Sequence, residues 1–252
     1  MSTNTPTYGG CVMSEPPDTD RLFSAADVPE MRGEFAGKTA SMNWLPYVNP
    51  SDNQRSDVTC MVRGIAGNSE AVGRWRGLTI PRGHQIDVHP AYNRAVKDRY
   101  NGVEQGGLRP ADAMYGAIQT GILPPGTRTE ASKSLGGCMA LLNSGPVLLC
   151  LWTTPGWWTI KPNGYMDPLA GSREHLSGHC VLGLGLLQDG PEVYWLIQDW
   201  QGPKHGWNGC AIIHWRAWEA TRHSQGALGI VRPAGTEGWD GWRRLLVDRA
   251  EG

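Results

Sequence analysis

The chain has 252 residues and a formal net charge of −1, from 23 basic and 24 acidic side chains. That length can bury a real core in one large domain or two tightly joined halves, and the near-cancellation of charge, with no run of like-charged residues, speaks against nucleic acid as a partner. No apolar run is long enough to span a bilayer, and Met1 to Gly10 lacks the basic start and apolar centre of a secretory signal, so the expectation is a cytoplasmic chain without a membrane partner.

The first stretch, 1–43, holds Pro16-Pro17-Asp18, several glycines and little periodicity, and reads as an arm packed on the body. Ser56-Asp57-Val58-Thr59 is rich in helix-capping residue types, so a helix is expected from Cys60 to about Trp75 despite its glycines. A second helix is expected over Asp87 to Tyr100, where Tyr92, Val96 and Tyr100 recur at four-residue spacing and Pro90 suits the first turn. A third covers Arg109 to Thr120, with Pro110 early and Gly121 as its stop.

The second half changes character. Val147 to Trp152 is a short apolar run that suits a buried strand. Cys180 to Leu187, Val193 to Gln198 and Cys210 to Trp215 read as further strands, separated by Asp189-Gly190-Pro191 and by the Gly202 to Gly209 loop. Helices first and strands later point to an α+β fold with two lobes facing each other. The body is expected over 44–233. The remainder, 234–252, carries Trp239 and Trp242 beside Arg243 and Arg244. It is either a docking segment for a large protein assembly or, more plainly, a final helix folded onto the body.

The six cysteines (Cys11, Cys60, Cys138, Cys150, Cys180 and Cys210) form no CxxC pair, and several sit in apolar runs. A reducing compartment fits that pattern better than three disulfides do. Twelve tryptophans stand against two phenylalanines, an unusual balance, and 34 glycines with 18 prolines imply many loops and tight turns.

A thiol nucleophile needs an ionised sulfur, a neighbouring base and donors for the oxyanion of a tetrahedral intermediate. A cysteine that opens a helix has its thiolate stabilised by the positive end of the dipole, which singles out Cys60. Gln54 lies six residues upstream in Asn53-Gln54-Arg55-Ser56-Asp57-Val58-Thr59-Cys60. This octet resembles the active-site signature of papain-like cysteine peptidases, commonly Asn-Gln-Gly-Ser-Cys-Gly-Ser-Cys. The resemblance implies that Cys60 is the nucleophile, and that the Gln54 amide and the Cys60 N–H bind the oxyanion.

Two later blocks extend the resemblance in the same order. Ser177-Gly178-His179-Cys180-Val181-Leu182-Gly183-Leu184-Gly185 resembles the family's Gly-His-Ala-Val-x-x-x-Gly, which makes His179 the base. Tyr194-Trp195-Leu196-Ile197-Gln198-Asp199-Trp200-Gln201-Gly202 resembles Tyr-Trp-x-x-Lys-Asn-Ser-Trp-Gly, and His205-Gly206-Trp207-Asn208-Gly209 continues it as Trp-Gly-x-Asn-Gly. Asp199 then falls where the family has the asparagine that orients the histidine. Arg109-Pro110-Ala111-Asp112 with Pro124, and Gly145-Pro146-Val147, resemble the family's second-lobe helix and its first barrel strand. The likeness spans Trp44 to Trp215. Tyr8-Gly9-Gly10 and Pro16-Pro17-Asp18 resemble the start of stand-alone members from bacteria, archaea and phages, which lack an inhibitory propeptide.

The departures are informative. Met61 follows the nucleophile where tryptophan is usual, and Val58-Thr59 replaces the Cys-Gly ahead of it, so either another thiol supplies a disulfide partner or none is needed. The tryptophan expected two residues after Asp199, which in the family shields the His–Asn hydrogen bond, is displaced to Trp200. A carboxylate at Asp199 accepts an imidazole N–H as an amide oxygen does, and predicts a tighter thiolate–imidazolium pair and a shifted pH profile.

Each residue also has an ordinary reading. Cys60 alone suits a core thiol, His179 a satisfied strand histidine, and Asp199 a turn at a strand end. His175 and His179 stand four apart, but Ser177 and Gly178 between them oppose a helix and no third ligand is suitably spaced. Neither a metal nor another cofactor is therefore expected. Gly183-x-Gly185 is too short for a dinucleotide loop and reads as close strand packing. Cys138, Cys150, Cys180 and Cys210 read as core, and Trp152, Trp157 and Trp158 either line a substrate cleft or pack between lobes.

The expected function is hydrolysis of peptide or isopeptide bonds, with a peptide or protein as the partner. The alternative is a catalytically silent structural or docking component, incorporated in a phage virion. A third reading keeps the thiol chemistry but passes the acyl group to an amine, as a transglutaminase-like enzyme would.

Overall fold

A computed structural model describes residues 43–49, 53–54, 57–80, 84–161, 164–171, 174–207 and 209–248. The arm before residue 43, Cys11 and Asn208 lie outside the described residues. The five helices are α1 (Cys60–Trp75), α2 (His89–Arg99), α3 (Pro110–Gln119), α4 (Leu135–Leu142) and α5 (Trp215–Thr221). The strands are β1 (His84–Ile86), β2 (Arg128–Ser132), β3 (Val147–Thr153), β4 (Tyr165–Met166), β5 (Ser177–Asp189), β6 (Glu192–Gln198), β7 (Cys210–His214), β8 (Arg222–Val231) and β9 (Leu246–Asp248).

The three expected helices all form. α1 begins at Cys60, and its cap is Thr59. The Thr59 hydroxyl does not cap the helix but accepts a hydrogen bond from Arg63 Nε at 2.8 Å. Proline occupies the first turn of both α2 and α3, where its missing N–H costs no hydrogen bond. Gly121, at φ +82°, lets the chain leave α3 in a left-handed conformation.

Seven strands form one sheet in the order β2-β8-β3-β5-β6-β7-β4. Every pairing in it is antiparallel except that of β4 with β7. α1 lies against β3 and β5, and two of its glycines permit the approach. A Cβ on Gly64 would stand 2.8 Å from Leu148 Cδ2, and one on Gly67 would stand 3.1 Å from Leu182 Cδ2. Gly183 likewise allows close strand packing beside a register shift between β5 and β6, since a Cβ there would meet Val147 at 2.9 Å and Trp195 at 3.1 Å.

Trp44 anchors the chain ahead of α1 to this core. Its backbone N–H donates to Leu184 O at 2.9 Å and its indole N–H to Leu142 O at 2.7 Å. The tryptophan excess fills space that phenylalanines fill elsewhere. Trp195 stacks on Trp215 at 5.6 Å, and Trp215 meets Trp218 edge-on at 4.6 Å, all three fully buried.

Two expectations are corrected. The strand expected over Cys210 to Trp215 ends at His214, because His214 Nδ1 accepts from Arg216 N at 3.2 Å and caps α5. The C-terminal segment is not a helix but a 3₁₀ turn, Gly241–Leu245, followed by β9, which pairs with β1. Its tryptophans face inward: Trp242 is buried beside Gly73, and Trp239 Nε1 donates to Gly121 O at 3.1 Å. Among the described residues no helix is long and apolar enough to cross a membrane.

Candidate active site

α1 packs on β3 and β5, and Cys60, His179 and Asp199 stand at the start of that helix, on β5 and just past the end of β6. Cys60 is the first residue of α1, so its sulfur belongs to the turn whose N–H groups have no intrahelical partner and which favours negative charge. His179 is the third residue of β5, paired with Leu151 across from it. Asp199 follows the last residue of β6, held there by its own N–H donating to Gly209 O at 2.8 Å. Gln54 is tied to the same strand end, since its N–H donates to Trp200 O at 2.8 Å and Asn53 bridges to Gln201.

Both oxygens of Asp199 are occupied. Oδ1 accepts from His179 Nε2 at 2.7 Å and from Trp200 N at 2.7 Å. Oδ2 accepts from Trp157 Nε1 at 3.0 Å, with His205 Nε2 3.8 Å away. Burial pushes the Asp199 carboxyl up, but the His179 charge and hydrogen bond, the His205 charge and the Trp200 N–H outweigh it and hold the group below the ordinary carboxylate range. An ionised carboxylate only accepts, so the proton of the 2.7 Å contact sits on His179 Nε2. Nδ1 is then the basic atom of the ring, and it is buried without a hydrogen bond among the described residues.

Trp157 packs against both members of the His179–Asp199 pair. Its ring meets His179 edge-on at 5.9 Å while its N–H holds Asp199. Trp200 instead braces β5 against α1, for its indole N–H donates to Cys180 O at 3.0 Å and its ring passes beneath Gly67. His205 was legible only as a position where the family carries tryptophan. Burial lowers its pKa and Asp199 opposes that.

The Gln54 amide donates one hydrogen to the Asp57 carbonyl, and its Oε1 is buried without a partner among the described residues. Cys60, His179 and Asp199 have 0% exposure and Gln54 2%. A substrate carbonyl therefore reaches the sulfur only after the structure opens around it. His175 stacks on Trp152 at 5.8 Å, whereas His179 is committed to Asp199. The described cysteines all carry thiols, and burial pushes those of Cys138 and Cys210 up to about 12.

The fold these elements make is the papain-like two-lobe fold of cysteine proteases, α+β with a mostly antiparallel sheet. The chain aligns with xylellain, a cysteine protease from Xylella fastidiosa, at a TM-score of 0.64, over 92% of this chain and 99% of that one, with 14% identity. It aligns with bromelain from Ananas comosus, solved with the E64 inhibitor, at 0.57 over 76% of this chain and 98% of that one, also at 14% identity. Procathepsin L2 from the larval midgut of Tenebrio molitor gives 0.58 over 92% and 76%, with 16% identity. No protein-family model matches the chain, and no curated protein sequence does.

Proposed function

We propose that the chain is a cysteine peptidase that hydrolyses peptide or isopeptide bonds, with Cys60, His179 and Asp199 as its triad and Gln54 as an oxyanion donor. The observation that carries this reading is the pairing of His179 Nε2 with an ionised, fully buried Asp199, which fixes the tautomer and leaves Nδ1 as base. A buried charge is costly to keep unless it is paired and hydrogen-bonded, and four groups attend this one. That investment favours a working site over a decayed docking module.

His179 takes the thiol proton, and the Cys60 thiolate attacks the carbonyl carbon. The remaining Gln54 amide hydrogen and the Cys60 N–H stabilise the oxyanion, as such donors do when they are placed in advance. His179 then protonates the leaving amine, giving an acyl-enzyme. Water, deprotonated by His179, releases the acid and restores the thiol.

The test is cleavage of denatured casein by the full chain, followed by mass spectrometry of the products. Loss of cleavage in Cys60→Ala, with the fold retained, is the expected result. Cleavage that survives this substitution contradicts the mechanism.

A further inference from the structure

Gln54 is hydrogen-bonded to Asp57, and a charge pair holds Asp57 to α1. Matched position by position, the octet sets Asp57, rather than Val58, at the first cysteine of the peptidase signature. Its backbone and side chain face different partners. The Asp57 carbonyl accepts from Gln54 Nε2, and the Asp57 N–H donates back to Gln54 O at 2.9 Å. The carboxylate Oδ2 accepts from Arg63 Nη2 at 3.0 Å, and His89 Nε2 of α2 stands 3.6 Å from the same oxygen. Arg63 lies one turn into α1 from Cys60, and its Nε donates to Thr59 Oγ1 at 2.8 Å.

We propose that Arg63 is a positioning residue that clamps Asp57 and, through the hydrogen bonds between Asp57 and Gln54, aims the Gln54 amide at the reaction centre. This rests on the peptidase reading for its catalytic consequence, though not for the clamp itself. The pair is built to last. The side chains are 8% and 24% exposed, so solvent and salt screen them less than a surface pair. Arg63 uses two separate nitrogens, one on Asp57 Oδ2 and one on Thr59 Oγ1, which fixes direction as well as distance. The amide it steadies has one hydrogen already committed to the Asp57 carbonyl, so a shift of Asp57 swings the other away from an oxyanion. Catalysis is sensitive to such displacements of about an ångström.

The experiment uses the full chain with Arg63→Met, Arg63→Lys, Asp57→Asn and Gln54→Ala. Hydrogen exchange of the Asp57 amide is read first, because it reports the clamp whether or not any peptide is cleaved. It is expected to speed by about tenfold or more in Arg63→Met and Asp57→Asn, and by less in Arg63→Lys, whose single nitrogen can keep the charge contact with Asp57 but not the Thr59 bond as well. On a cleaved peptide, Arg63→Met is expected to lower kcat about tenfold or more with KM changed less than about twofold. Adding Gln54→Ala to it should cost little further, since the amide is already misplaced. Asp57→Asn keeps the size and carbonyl of the residue and serves where Arg63→Met does not fold. Unchanged exchange in folded variants overturns the clamp, and so do losses from Arg63→Met and Gln54→Ala that simply multiply. A parent chain that cleaves nothing counts against the peptidase reading alone, while the exchange result still decides the clamp.

Discussion

At Asp199 two forces oppose each other, and the balance sets a pH dependence. Burial raises the carboxyl pKa, while His179, His205 and the Trp200 N–H lower it below the ordinary value of 3.8. A carboxyl depressed on folding contributes stability that is present above its unfolded value and lost as pH falls through its folded one. Asp199→Asn is therefore expected to be less stable than the parent near neutrality, with the gap closing below about pH 4. Denaturant titrations from pH 7 to pH 2 check this, and a gap independent of pH contradicts it. Trp157→Phe keeps a ring beside His179 but removes the donor to Oδ2. It should cost about 2 kcal/mol of unfolding free energy, as loss of a buried hydrogen bond to a charged group does. Cys60, His179, Asp199 and Gln54 stood out as candidates because each sits in a short local pattern. Trp157 did not, since it reaches Asp199 across 42 residues of chain from a turn that resembles any other Pro-Gly-Trp turn.

The glycines within helices show how elements come close enough to build the site. Gly116 in α3 lies against the Ala91 carbonyl of α2, so a Cβ there would overlap backbone rather than a side chain that can swing aside. Gly116→Ala gains about 1 kcal/mol of helix propensity and meets a packing penalty of about 2–3 kcal/mol. The expected net is a loss of about 1–2 kcal/mol, read by urea unfolding; a more stable variant contradicts the close approach. Helices α1 to α3 were legible from caps, prolines and spacing. Strand β8 was not: Arg222-His223-Ser224-Gln225-Gly226 opens it with polar residues, and its place between β2 and β3 comes from the neighbours it pairs with. Strand β2 is a largely exposed edge without apolar alternation, and α5 has only seven residues, too few to show a period.

For the whole molecule, the order of helices before strands was enough to indicate two facing lobes, because each layer buries its apolar face against the other. The sequence could not show how tightly they close. With Cys60, His179 and Asp199 all at 0% exposure, reagent and substrate alike must wait for an opening, so absolute rates mix access with chemistry. A comparison between variants that share the same closure separates the two. The most direct measurement is alkylation of the full chain by iodoacetamide near neutral pH, in the parent and in His179→Ala, with adducts located by mass spectrometry. An activated Cys60 is modified well before Cys138 and Cys210, whose thiols burial pushes up to about 12. His179→Ala is then expected to slow the Cys60 adduct by about a hundredfold. Equal Cys60 rates in the two proteins would mean that His179 does not activate the thiol, and would contradict the assignment of Cys60 as a nucleophile paired with His179.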